Sequence, residues 1–96
     1  MAIAIVHLIP GGSQEDYDKV VRELRGGSME RLSDWPVDGV LCHIAGPTEG
    51  GWQVVDVWED EESFRRFGEK LKPAFEAAGV EMKEPQVYPV HKFIKE

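Results

Sequence analysis

The sequence predicts an α+β domain in which two helices cover one face of a four-stranded antiparallel sheet. Three observations carry this prediction: an apolar first strand precedes an amphipathic helix, a glycine-rich turn separates two central strands, and a second amphipathic helix precedes a last strand. The order strand, helix, strand, strand, helix, strand gives a ferredoxin-like βαββαβ sandwich when the crossovers are right-handed.

The first third of the chain supplies a strand and a helix. Apolar residues occupy both alternating positions of residues 3–9, which is typical of a strand that is buried on both sides. Ser13 is the expected N-cap of a helix that ends near Arg25, before the glycine pair 26–27. The apolar stripe of this helix consists of Tyr17, Val20, Val21 and Leu24.

The centre of the chain reads as a β-hairpin. Residues 39–45 and 52–59 are the expected second and third strands, and the glycine- and proline-containing residues 46–51 form the turn between them. The third strand places Trp52, Asp56 and Trp58 on one face, because side chains two positions apart point the same way.

A second helix and a last strand complete the predicted fold. Asp60 caps a helix that ends near Ala78, and Pro73 inside it is expected to kink or divide it. Its apolar stripe consists of Phe64, Phe67, Leu71, Phe75 and Ala78. The final strand, residues 86–94, contains proline and is expected at an edge of the sheet.

Length and charge narrow the class of protein. The chain has 96 residues and is expected to form a single domain over residues 1–96. Its formal net charge of −7 disfavours nucleic-acid binding, and no apolar run approaches the ~20 residues that cross a bilayer. The amino terminus lacks the layout of a signal peptide, and the single cysteine, Cys42, forms no intrachain disulfide. We therefore expect a cytoplasmic protein.

The two-sided apolar strands predict a homodimer. Two helices cover only one side of a four-stranded sheet, so the opposite face would expose a contiguous apolar patch that monomers rarely tolerate. Pairing two sheets face to face removes this exposure.

Residues 50–67, GGWQVVDVWEDEESFRRF, resemble the antibiotic biosynthesis monooxygenase superfamily of dimeric α+β barrels. In that superfamily an acidic residue and an aromatic residue two positions apart on the third strand precede an acidic turn and an amphipathic helix. Asp56 and Trp58 occupy those strand positions here. The resemblance implies a dimeric α+β barrel and cofactor-independent oxygenation of a small phenolic or polyketide-like molecule. The haem-degrading branch ligates haem through a histidine of the second helix, and residues 60–78 contain none.

The predicted catalytic residues are His7, Asp56 and Trp58. A cofactor-free oxygenase needs a base and an enclosed apolar cavity, and histidine suits the first task. If the first and third strands are neighbours, His7 and Asp56 share a face, and Asp56 orients the imidazole or stabilises its charge. The alternative is that His7 is a hydrogen-bonded core histidine and that Asp56 bonds to the backbone or to a dimer mate.

Four further residues are predicted to bind substrate, and no metal or cofactor site is expected. The four residues are Trp52, Phe64, Phe67 and His91. For the tryptophans, the alternative is a purely structural place in the core. His43 and Cys42 point to opposite faces of one strand and cannot chelate a common metal ion. Besides an oxygenase, a non-catalytic dimeric barrel that binds a small apolar ligand, and an adaptor with an acidic face, remain open.

Overall fold

The computed structural model describes residues 1–95 and confirms the predicted α+β fold class. One four-stranded sheet has the order β2–β3–β1–β4, and each neighbouring pair of strands is antiparallel. The elements are β1 (Ile3–Pro10), α1 (Gln14–Arg25), β2 (Val40–Thr48), β3 (Gly51–Trp58), α2 (Glu61–Ala78) and β4 (Gln86–Pro89). A short 3-10 turn, Leu32–Asp34, precedes β2.

Both helices begin and end at the residues that the sequence marks. The Ser13 side chain accepts a hydrogen bond from the backbone N–H of Asp16, and the Asp60 side chain accepts one from Ser63. Gly26 follows α1 and Gly79 follows α2, both in the left-handed conformation that glycine adopts without strain. Local capping therefore fixes where each of the two helices begins and ends.

Pro73 does not divide α2, contrary to one of the two outcomes expected from the sequence. The helix is a single element of 18 residues that includes the proline. Pro73 itself is exposed, whereas the neighbouring Leu71, Ala74 and Phe75 are buried against the sheet and α1. Tertiary packing on both sides of the proline therefore holds the helix together across the missing N–H.

The strand boundaries differ from the sequence prediction by more than one residue at two sites. β2 runs on to Thr48, with Pro47 paired opposite Trp52, and β4 ends at Pro89 rather than continuing to residue 94. β2 and β4 are the two edge strands, as expected for β4, and an edge strand tolerates proline because one row of its N–H groups needs no partner.

The two faces of the sheet have different roles. The face toward α1 and α2 carries the core, which includes the fully buried Ile5 and Trp58. The opposite face, called here the open face, carries no helix. It includes Ala4, Val6, Leu8, Cys42, Ile44, Gln53, Val55, Val57, Gln86 and Tyr88. Within residues 1–95, neither helix has the length and apolar character required to cross a bilayer.

Candidate functional site

A partly buried chain of hydrogen bonds links α1, β2 and β3 beneath the helices. Nδ1 of His43 lies 2.6 Å from Oδ1 of Asp56, and Nε2 of the same ring lies 2.6 Å from the Tyr17 hydroxyl. His43 pairs directly opposite Asp56 in the β2–β3 register, which brings the two side chains together on the helix face. Tyr17 reaches the imidazole from the apolar stripe of α1.

Asp56 is held on both of its oxygens. The second oxygen, Oδ2, lies 3.4 Å from the indole N–H of Trp58, which stands two residues further along the same face of β3. The side chain of Asp56 is only 3% exposed, so nearly all of its interactions are with protein groups. A buried carboxylate requires such partners, because an unpaired charge in an apolar interior is costly.

Aromatic rings enclose this chain. The Trp35 ring meets His43 edge-on with a centroid separation of 4.8 Å, and Tyr17 lies 5.7 Å from Trp52. Trp58 packs against Phe67 at 5.0 Å. The contact with Trp35 limits the rotation of the imidazole, and the other two pack the walls around the hydrogen-bonded residues.

His7 lies on the same sheet face but belongs to no hydrogen-bonded pair. It is 6% exposed, and its Nε2 is buried without a partner. Burial lowers the pKa of His7 below its ordinary value of 6.5, and the negative charge of Asp56 opposes this effect only in part. The imidazole is therefore neutral at pH 7 and presents an unused nitrogen.

A largely apolar cavity of about 50 Å³ lies between the sheet and the helices. This volume is larger than one water molecule requires. Its polar lining includes His7, Tyr17, His43, Trp52 and Asp56, and no lysine or arginine lines it. The indole nitrogen of Trp52 is, like Nε2 of His7, buried without a hydrogen-bond partner. The cavity thus offers two unused polar groups within apolar walls, in a volume below the roughly 300–1,000 Å³ of ligand pockets. Binding of an aromatic ring therefore requires the helices to move outward.

Burial also shifts the pKa of Tyr17, the last residue of this chain of hydrogen bonds. Desolvation, together with the negative charges of Asp56, Asp18 and Glu30, raises the pKa of Tyr17 to about 12. The phenol therefore keeps its proton throughout the physiological range. Among the described residues, no group of three or more His, Cys, Asp or Glu side chains is placed to hold a metal ion.

The sequence matches no family model and no curated protein. Its fold, however, is similar to two crystal structures of SnoaB, a cofactor-independent oxygenase from Streptomyces nogalater, one of them a point mutant. The TM-scores are 0.62 and 0.60 at 14% identity, and each match covers 99% of this chain and 97% of SnoaB. The structural-genomics protein YJCS matches with a TM-score of 0.58 at 13% identity, over 95% of this chain and 100% of YJCS.

The chain therefore shares the α+β fold of SnoaB and YJCS. Within this fold the cavity brings together His7, Asp56, Trp52 and Phe67 from the residues predicted at the sequence level. Trp58 is not among the lining residues, and its indole N–H donates a hydrogen bond to Asp56. Phe64 is not among the lining residues, but its ring lies 6.4 Å from that of His7.

The structure also shows where His91 lies and how His7 and Asp56 are placed relative to each other. His91 is exposed beyond the end of β4 and does not line the cavity, because the last strand stops at Pro89. Asp56 does not hydrogen-bond His7, because the β1–β3 register pairs Asp56 with Ile5 and leaves His7 one diagonal step away.

The sequence interpretation missed the roles of His43, Tyr17 and Trp35. The alternation of the second strand carried a signal for His43, since its position opposite Asp56 follows once the hairpin register is known. Tyr17 was recognised only as part of the apolar stripe of α1. Its contact with His43 depends on how the helix crosses the sheet, which local sequence does not encode.

Proposed function

We propose that this protein is a cofactor-independent monooxygenase that acts on a small hydroxyaromatic molecule. One observation carries the proposal: the buried imidazole of His7 lines an apolar cavity, and its Nε2 has no hydrogen-bond partner. A base that stays neutral at pH 7 is ready to accept a proton from a carbon or hydroxyl group of a bound ligand. The fold similarity to SnoaB agrees with this class of reaction.

In such a reaction the substrate itself supplies the electrons. Ionisation of the phenol raises the electron density on a ring carbon, which reacts with dioxygen to give a peroxide. Loss of the proton on that carbon breaks the O–O bond, so that one hydroxyarene and one dioxygen give one quinone and one water. The apolar cavity keeps bulk water away from the electron-rich intermediate.

The charge of the site restricts the ligand. Asp16 and Asp56 line the cavity, and no lysine or arginine does. A carboxylate or phosphate would enter without a counter-ion, which costs more than the transfer of a neutral ring. We therefore expect uncharged phenols and naphthols rather than aromatic acids.

Oxygen consumption tests the proposal. A naphthol incubated with the protein is expected to consume one dioxygen for each naphthoquinone formed, as measured with an oxygen electrode and by absorbance. The variant His7→Leu keeps an apolar side chain of similar size and should lower kcat about 100-fold or more, which is the usual share of a general base. The matched variant His91→Leu changes an exposed histidine outside the cavity and should keep the rate. If a panel of phenols and naphthols gives no uptake above the rate without protein, the protein is a ligand-binding barrel instead.

A further inference from the structure

The hydroxyl of Tyr17 ends a hydrogen-bonded chain that the proposed role of His7 does not use. The chain runs from the cavity wall through Tyr17 and His43 to Asp56, with both links at 2.6 Å. All three residues line the cavity. A chain of short bonds that opens on a ligand site can move a proton between ligand and protein.

The chemistry of the groups sets the direction of each bond. An ionised carboxylate only accepts, so Nδ1–H of His43 donates to Asp56. The neutral ring then has its lone pair on Nε2, which accepts the proton of the Tyr17 hydroxyl. The oxygen of Tyr17 keeps its own lone pairs for a donor from the ligand.

We propose that Tyr17, His43 and Asp56 form a proton relay that takes the hydroxyl proton of a phenol bound in the cavity. As the ligand hydroxyl gives its proton to the oxygen of Tyr17, the phenolic proton of Tyr17 moves to Nε2 of His43. The imidazolium so formed is stabilised by the carboxylate of Asp56. Tyr17 touches the ligand, and the other two residues act through it as positioning residues.

The carboxylates around the cavity disfavour a bound phenolate, and a relay that keeps the ligand's proton nearby offsets this effect. Besides His43, the ionisable groups around Tyr17 include Asp16 and Asp18 on α1, Glu30 in the following loop, and Asp56 and His7 on the sheet. The carboxylates oppose a second negative charge in the cavity. Retaining the ligand's proton on His43, a hydrogen bond away from Tyr17, offsets that repulsion. The raised pKa of Tyr17 keeps it protonated between turnovers, so it passes a proton on instead of resting as an anion.

The relay completes the proton balance of the proposed oxygenation, on which its catalytic use rests. The relay accepts the hydroxyl proton before dioxygen reacts, and His7 accepts the carbon-bound proton as the O–O bond breaks. The two electrons of the broken C–H bond form the new carbonyl. Both protons end on the departing oxygen as water, which restores neutral His7 and His43.

A chromophoric phenol that resists oxygenation tests the relay separately. Para-nitrophenol absorbs visible light strongly only when it is ionised. The absorbance of the bound dye as a function of pH therefore reports the fraction that has lost its proton. With the wild-type protein, the midpoint of ionisation of the bound dye should lie below that of the free dye. Tyr17→Phe removes only the hydroxyl and should raise this midpoint by about one pH unit, a tenfold change in the ionisation equilibrium. His43→Gln should raise it similarly, and combining it with Tyr17→Phe should add little.

Tyr88→Phe is the matched control, because Tyr88 lies half-exposed on the open face and should leave the midpoint unchanged. Circular dichroism of each variant shows whether it folds, and only folded variants enter the comparison. If the wild-type protein binds no ionised dye, or if His7→Leu and not Tyr17→Phe raises the midpoint, the relay is wrong. A protein that ionises the dye through Tyr17 but consumes no dioxygen with naphthols would overturn the oxygenase proposal and leave the relay standing.

Discussion

At the scale of single residues, the buried His7 and the partly buried His43 share one sheet face and differ in their hydrogen bonds. His43 uses both ring nitrogens, one for Asp56 and one for Tyr17. His7 leaves Nε2 unpaired, although it is buried almost as completely as Asp56. For stability alone, that nitrogen should have a hydrogen-bond partner, or an apolar side chain should take the place of the imidazole. Its retention beside an apolar cavity fits a group that is kept free for a ligand.

The lowered pKa of His7 predicts how stability depends on pH. The unfolded chain binds a proton on this ring more readily than the folded chain does, so protonation favours unfolding. The contribution of His7 is complete above its ordinary value of 6.5 and is lost as pH falls from 6.5 toward the lowered value in the folded state. Urea unfolding at several pH values should therefore show a smaller decrease below pH 6.5 for His7→Leu than for the wild type.

His91→Leu is again the control for this measurement, since it removes an exposed histidine. It should keep the wild-type decrease in the free energy of unfolding. An equal decrease in His7→Leu and in the wild type would mean that His7 is not the group that burial holds neutral.

The sequence could predict part of this site and not the rest. Strand alternation was enough to place His7, Asp56 and Trp58 on one face, and the structure has them there. The partner of Asp56 depends on the register of two strand pairs at once, and a shift of one residue reverses every side chain. Alternation alone therefore could not distinguish His7 from His43 as that partner.

At the scale of the elements, α2 carries a proline that ordinary helix rules place at a boundary. Residue 73 lies in the interior of an 18-residue helix, where proline is about 3 kcal/mol less favourable than alanine. Proline also restricts the unfolded chain, which returns about 0.4–1 kcal/mol. Pro73→Ala should therefore raise the free energy of unfolding by about 1–3 kcal/mol, measured by urea denaturation.

The neighbouring exposed residue Lys72 provides the matched control. Lys72→Ala alters the same turn of α2 without changing the backbone, and it should shift the free energy of unfolding by less than about 0.5 kcal/mol. A neutral or destabilising Pro73→Ala would show that the fold requires the local geometry that proline imposes.

Most elements were nonetheless predictable, because local signals and tertiary packing agree in them. Ser13 and Asp60 cap the helices as expected, and the glycines that follow the helices end them. The errors fall where long-range packing overrides a local signal. Pro73 stays within one helix because its neighbours are buried, and β2 extends over Pro47 because it is an edge strand.

At the scale of the whole molecule, the sheet has one covered face and one open face. None of the ten side chains named on the open face is charged. Leu8 is 45% exposed and Ile44 is 56% exposed on it. On a chain with a net charge of −7, an uncharged apolar face of this kind is suited to a second copy of itself more than to a charged partner.

We therefore expect a homodimer that is formed through the open face. Sedimentation velocity should give a mass near twice that of the 10.8 kDa chain. Ile44→Asp places a charge at a strongly exposed apolar position of this face, and two copies related by a twofold axis would bury two such charges. Because an unpaired buried charge costs several kcal/mol, the variant should sediment as a monomer at micromolar concentration.

Gln14→Asp adds the same charge in the first turn of α1, on the helix side of the sheet, and should remain dimeric. A dimer that survives Ile44→Asp but is lost with Gln14→Asp would place the interface on the helices instead. That arrangement would leave Leu8 and Ile44 in water and bring the helices that cover the cavity into contact with a partner. Under the expected arrangement, the helices stay free to move and admit a ligand, because the dimer uses only the face of the sheet that the site leaves unoccupied.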